Sequence, residues 1–316
     1  MFPVTIHPNS LPSIFSFGRY LPERVLDNQT LARMLNCDAE WILQSSGIEE
    51  RRIAAPGETV ADLGVKAAQD CLRDASAPGL IVVASGSAER RFPGPAALVA
   101  QRLGFAGIPA IDLPIASAGS LFGIALAAHL APVYGPVLVV AAEKMAGPAG
   151  AEPLDRNVGI LFGDGAGACL VTPDAGGLRI VDSILHSDGA YSEDLRLGLA
   201  GPVEMNGMAV IRHATRKLPE VMNELLQRNR IGAAAIGAFL MHQANRNLID
   251  RVARALDVPA DRFYSNIGRY GNTSSASMLI AAAEWRESVQ PQSGDTVCFA
   301  AFGAGFHWGA LLARQS

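Results

Sequence analysis

A chain of 316 residues, 49% hydrophobic and 18% charged, can bury a large core as one large domain or two moderate ones, and it is too apolar to be a disordered protein. Its 26 basic and 30 acidic residues leave a net charge of −4. That balance offers no global field for nucleic acid, and a small-molecule or protein partner is expected.

The four cysteines, Cys37, Cys71, Cys169 and Cys298, show neither CxxC nor metal-ligand spacing, and the opening "MFPVTIHPNS" lacks a charged region followed by an apolar signal core. A reducing cytoplasm is the expected compartment.

Short β-branched runs alternate with helix-like segments: "LIVVAS" (80–85), "AALVAQRLG" (96–104), "AIDLPIA" (110–116), "SLFGIALAAHL" (120–130) and "PVLVVAAE" (136–143). This rhythm predicts an α/β protein with a largely buried sheet. The span Leu113 to Val133 is apolar enough to suggest a membrane helix. Pro114, His129 and Pro132 interrupt it and no basic flank accompanies it, so a helix buried in a large core is expected and no membrane contact.

A stretch rich in Gly, Ser, Pro and Asp follows, and the boundary is placed near residue 173, in "PDAGG", dividing the chain into 1–172 and 173–316. The rhythm then resumes with "GAFLMHQA" (237–244), "NLIDRVARALD" (247–257), "SASMLIAAAEWRES" (275–288) and "DTVCFAAFG" (295–303). Two similar α/β halves sharing one core are predicted.

The chemistry-bearing residues lie at joins between these elements. Ser117 stands where strand passes to helix, where free N–H groups and the dipole favour negative charge; an N-cap serine is the ordinary alternative. The G-x-S-x-G elbow of serine hydrolases is not met, because Ile115 occupies the first glycine position. His242 follows an apolar strand, and Asn272 sits in a Gly-flanked loop, "GNTSSAS". Either could be structural: a partly buried histidine, a turn and cap. In "CFAAFGAGFHWGALLA", Gly303 and Gly305 permit close backbone approach to a ligand, or a simple hairpin. "GDGAGA" (163–168) is not a dinucleotide fingerprint, and no HExxH or paired-histidine motif appears, so no metal site is expected.

Taken together these joins resemble the thiolase-fold condensing enzymes, specifically the β-ketoacyl-(acyl-carrier-protein) synthase III family. The likeness runs through "RYLPERVLDN", "DAEWILQSSGIEERRIAAPGETVADLG", "RFPGPAALVAQRLG", "FGDGAGA", "HSDGAY", "HQAN", "GNTSSAS" and "FGAGFHWG". It implies a thiolase-like fold of two α/β halves, a homodimer, and coenzyme A thioester as substrate with no separate cofactor.

The resemblance places a catalytic Cys-His-Asn set at Ser117, His242 and Asn272, so serine stands at the cysteine position. It implies an oxyanion site from the amides of Ser117 and Ala304. Trp41 and Arg156 match the pair at the coenzyme A adenine, and Arg246 and Asn247 fall at further coenzyme A-binding places, although Ser45 and Asn247 stand where arginines are usual. Phe92 matches a residue that lines the acyl pocket across the dimer. Arg212, Arg216, Lys217, Arg246, Arg251 and Arg254 match places where an acidic acyl carrier protein docks; a solvated helix face is the alternative. Arg90 and Arg91 precede Phe92: an acidic acyl chain is expected if one enters the pocket, a short alkyl chain if both face solvent.

A hydroxyl needs an adjacent base where a thiol does not, and His242 is the candidate. Four readings of Ser117 stand: a natural serine acyltransferase, a natural serine condensing enzyme, an engineered Cys-to-Ser form, and a non-catalytic subunit.

Overall fold

The fully buried strands form where the sequence runs apolar, as in "LIVVA" and "VLVVAA". The computed structural model of the chain describes residues 11–174, 176–198 and 201–316; the opening segment used for the compartment reading lies outside them. In chain order the strands are β1 Ser13–Tyr20, β2 Arg24–Asp27, β3 Glu50–Ile53, β4 Leu80–Ala84, β5 Ala110–Leu113, β6 Val137–Lys144 and β7 Asp164–Thr172. After residue 173 come β8 Leu178–Ser187, β9 Leu195–Leu197, β10 Val203–Met205, β11 Ala238–Met241, β12 Thr296–Gly303 and β13 His307–Gln315.

Among the described residues a mixed sheet of nine strands runs β11-β12-β13-β8-β1-β7-β6-β4-β5. The strands before residue 173 occupy one side and those after it the other. They join at β1 and β8 through only two antiparallel pairs, Ser13 with Arg179 and Ile14 with Leu178. On one side β4 lies parallel to both β5 and β6; on the other β11 is parallel to β12.

The helices Gly119–Tyr134 and Ser277–Val289 lack an amphipathic stripe because they serve a core that spans both sides of the sheet. One buried cluster joins Leu80, Val139 and Cys169 to Leu240, Phe299 and Leu311, with Ile124 and Leu279 from the two helices. The α/β class and the shared core are therefore as expected. Among the described residues no helix is long and apolar enough to cross a membrane.

"GDGAGA" opens β7 instead of a ligand loop. Its Gly167 is needed for packing, since a Cβ there would lie 2.5 Å from Leu279 Cβ.

Candidate active site

Pro114 cannot donate to a ladder, and β5 stops at Leu113, three residues short of the expected end. The helix begins at Gly119 with Ala118 as its N-cap and no side-chain cap bond, so the N-cap reading of Ser117 fails. Instead Ser117 has φ +62°, in the left-handed region, at a cost of about 1 kcal/mol for a residue with a Cβ.

Two contacts hold it there. Its N–H donates to Ser274 Oγ at 3.0 Å, and the end of β12 presses against it at Gly303. A Cβ on Gly303 would stand 2.3 Å from Ala116 O and 2.9 Å from Ser117 Cβ.

His242 follows β11, and its N–H continues the ladder to Ala300 O at 2.9 Å. Nδ1 lies 2.6 Å from Ser277 Oγ, and Nε2 is the ring nitrogen without a side-chain partner among the described residues. Burial drives its pKa down to about 4, against a hydrogen bond to the Ser274 backbone that acts the other way. The ring is neutral at pH 7.

Asn272 is fixed on three sides: its N–H donates to Leu161 O at 2.9 Å, its carbonyl accepts Gly163 N–H at 3.1 Å, and its Oδ1 accepts Ser274 N–H at 2.9 Å. With Oδ1 so occupied, the amide NH2 is the end available to a ligand.

Ser117, His242 and Asn272 line one narrow cavity of about 80 Å³, walled by Phe162, Ile211, Leu248 and Phe302. A smaller cavity of about 30 Å³ is lined by Ser117 and Ala304 with Gly86, Met145, Leu197 and Val203. Ser117, Phe162 and Leu195 belong to both, so residue 117 stands between them. Of the two amides expected to face an oxyanion, that of Ser117 is already donated to Ser274. Among the described residues Ser117 Oγ carries no hydrogen bond to His242.

No cysteine replaces Ser117. Cys71, Cys169 and Cys298 are buried, and burial pushes the Cys71 and Cys298 thiols up to about 12. Cys37 lines a separate surface cleft.

Trp41 and Arg156 do face each other, the guanidinium 5.5 Å from the ring centroid. Asn247 Nδ2 donates to the carbonyls of Gln44 at 3.0 Å and Ser45 at 3.3 Å, at the end of the helix Ala39–Ser46. Arg246 pairs with Asp250 at 3.0 Å.

The six basic docking residues separate in the same way. Arg212 and Arg251 line one open cleft with Met208 and Ile211, and Ile211 also lines the Ser117 cavity. Arg216 and Lys217 lean on Glu220 at 3.9 and 3.8 Å, and Lys217 also lies over the Trp308 ring. Arg254 is exposed, with Nε 3.3 Å from Asp250 O. Phe92 is 83% exposed; Arg90 and Arg91 are exposed too, and Arg90 lines a surface cleft with Thr59 and Glu89, away from Ser117.

Sequence reasoning missed Glu143, Ser274 and Ser277. The signal for Glu143 was a lone acid closing the apolar run "VLVVAA", where a buried charge demands partners.

The chain is similar to known proteins over nearly its whole length. Residues 111–189 match the model of the 3-oxoacyl-(acyl-carrier-protein) synthase III family, and residues 226–315 match the model of its C-terminal part. The chain is 37% identical to the β-ketoacyl-(acyl-carrier-protein) synthase III of Oleidesulfovibrio alaskensis, over 95% of this chain and 98% of that protein. Its structure superposes on the Aquifex aeolicus synthase III with a TM-score of 0.91 at 33% identity, covering 96% of this chain and 99% of the other. The Pseudomonas aeruginosa enzyme gives 0.90 at 32% identity, covering 96% and 98%. The chain therefore belongs to the 3-oxoacyl-(acyl-carrier-protein) synthase III family and is an acyltransferase.

Proposed function

We propose that the protein takes an acyl group from acyl-coenzyme A onto Ser117 Oγ and delivers it to a malonyl-carrier protein by decarboxylative condensation. The convergence of Ser117, His242 and Asn272 on one cavity, with a second cavity beyond residue 117, carries this reading. The thioester arm fills the first and the acyl tail the second.

In the first half-reaction the Ser117 oxygen attacks the thioester carbonyl. A C–O bond forms, the C–S bond breaks, and the hydroxyl proton passes through His242 Nε2 to the leaving thiolate. The Ala304 amide stabilises the tetrahedral oxyanion, the Ser117 amide being committed to Ser274 Oγ. In the second, carbon dioxide leaves the malonyl group while the Asn272 amide, and His242 in the tautomer that carries its proton on Nε2, donate to the developing enolate oxygen. The enolate carbon then attacks the ester on residue 117, a C–C bond replaces the C–O bond, and the departing Ser117 Oγ takes up a proton from water.

Arg212, Arg251 and exposed Met208 at the cleft beside this cavity suit an acidic carrier protein. The exposed edge strand β5, with Ile111, and the exposed Leu126, Val133 and Tyr134 suit a homodimer. With Arg90 and Arg91 outside both cavities of this protomer, and with Arg196, the charged residue that lines the smaller one, paired to Glu193 and Glu204, the otherwise mainly apolar lining suits a short uncharged acyl group.

One observation favours a second reading, acyl transfer to a carrier protein or small acceptor without condensation. With serine at position 117 the acyl group is carried as an oxyester, a poorer acceptor for carbon than a thioester. Intact-mass analysis after incubation with acetyl-coenzyme A, followed by a carbon dioxide release assay with malonyl-carrier protein, separates the readings. Condensation gives an adduct on residue 117 and carbon dioxide; simple transfer gives the adduct and moves label without carbon dioxide. A chain that does neither is a non-catalytic subunit.

A further inference from the structure

Glu143, at the end of β6, is fully buried, and no Lys, Arg or His faces its carboxylate among the described residues. Six donors converge on it instead. Oε2 accepts from Ser87 Oγ at 2.6 Å and Ser85 Oγ at 3.3 Å, and the Gly86 N–H lies 3.1 Å from both oxygens. Oε1 accepts from Ser275 Oγ at 2.7 Å, Ser274 Oγ at 2.9 Å and Ser275 N–H at 3.3 Å. A burial this costly, met by so complete a set of donors, draws two distant loops onto one point.

Both loops touch the turn at residue 117. Gly86 lies so close that a Cβ on it would be 2.6 Å from Ala116 Cβ, and Ser275 Cβ stands 3.3 Å from the corresponding position on Gly119. Ser274 is the direct link: its hydroxyl donates to Glu143 and, with its proton thus committed, accepts the N–H of Ser117 at 3.0 Å. The left-handed backbone of Ser117 is thereby tied to a buried carboxylate at the end of β6.

We propose that Glu143 is a positioning residue for acyl transfer, acting through Ser274 to hold residue 117 in the backbone conformation that presents its side chain to the thioester. This rests on residue 117 being the acyl acceptor. Removing the carboxylate lets the Ser274 hydroxyl turn, frees the Ser117 amide and relaxes the turn, so the acylation rate suffers while thioester binding in the larger cavity does not.

The test is a double-mutant cycle of Glu143→Gln and Ser274→Ala, built in the wild type and again on Ser117→Cys. Acylation by acetyl-coenzyme A is followed by intact mass to give kcat and KM. Each single change lowers kcat at least about tenfold with KM within about twofold, and the double variant is no slower than Glu143→Gln alone, because both cut one chain. Glu143→Asp, which keeps the carboxylate, recovers part of the rate. Should Glu143→Gln fail to fold, Ser274→Ala decides, since it leaves five of the six donors in place.

An unchanged kcat in Ser274→Ala, multiplicative losses in the double variant, or a rise in KM alone overturns the proposal. Absence of any adduct on both the wild type and the Ser117→Cys parent overturns the acyl-acceptor reading, and this proposal with it. An adduct on either parent with no effect of Ser274→Ala overturns this proposal only.

Discussion

His242 Nδ1 lies 2.6 Å from Ser277 Oγ, and the same oxygen accepts the Gln243 N–H at 2.9 Å, so one helix-start hydroxyl sets both the ring and the backbone that carries it. Burial holds the native His242 pKa at about 4, below the unfolded value of 6.5. Between these values the unfolded chain binds the extra proton, so stability rises with pH through that window and is lost as pH falls from about 6.5 toward 4. The contribution is on the order of 3 kcal/mol. Denaturation at pH 4.5 and 7 should show a steeper pH dependence for the wild type than for His242→Gln; equal slopes would contradict the assignment.

Ser117→Cys should form the acetyl adduct roughly tenfold faster or more, with a rate that rises with pH as the thiol ionises. Ser117→Ala should form none. Stopped incubations read by intact mass provide the comparison, and an adduct that persists in Ser117→Ala would move the acceptor elsewhere.

Gly303→Ala places a methyl 2.3 Å from Ala116 O, a backbone atom that cannot swing aside. The turn at 117 must shift, at a cost of about 1 to 3 kcal/mol in stability. Since a displacement of about 1 Å can cost 100-fold in rate, kcat should fall far more than the lower Tm alone explains. Parallel thermal melts and acylation rates check this.

Arg51 is fully buried, with Nη1 2.6 Å from Asn28 Oδ1 and Nη2 2.5 Å from Ile160 O, and burial drives its pKa down to about 10. It remains charged at pH 7 and pins Ile160 one residue before Leu161, whose carbonyl holds Asn272. Arg51→Met should lose about 2 kcal/mol in urea denaturation, because two acceptors are left buried and unpaired. Arg51→Lys should not restore it, since one ammonium cannot reproduce a planar fork spanning both.

β5 is an edge strand whose Ile111 is 47% exposed. Light scattering should return a dimer for the wild type at micromolar concentration and a larger monomer fraction for Ile111→Lys, which blocks edge pairing. A well-folded wild-type monomer would count against the homodimer.

What could be read from the chain was whatever depends on near neighbours. An unbroken run such as "LIVVA" becomes a central strand because it is buried on both faces, and Ser117, His242 and Asn272 stood out because each sits at a join where element ends leave polar groups free. The tertiary structure alone decided how those joins are held. Ser117 is held in its left-handed turn by a hydroxyl 157 residues away that takes its N–H, and that hydroxyl donates to Glu143, 131 residues from it. Asn247, equally, is fixed by carbonyls about 200 residues upstream, to which its Nδ2 donates. Buried polar groups must be satisfied by whatever donors the fold brings near, and no local pattern in a sequence specifies which donors those are.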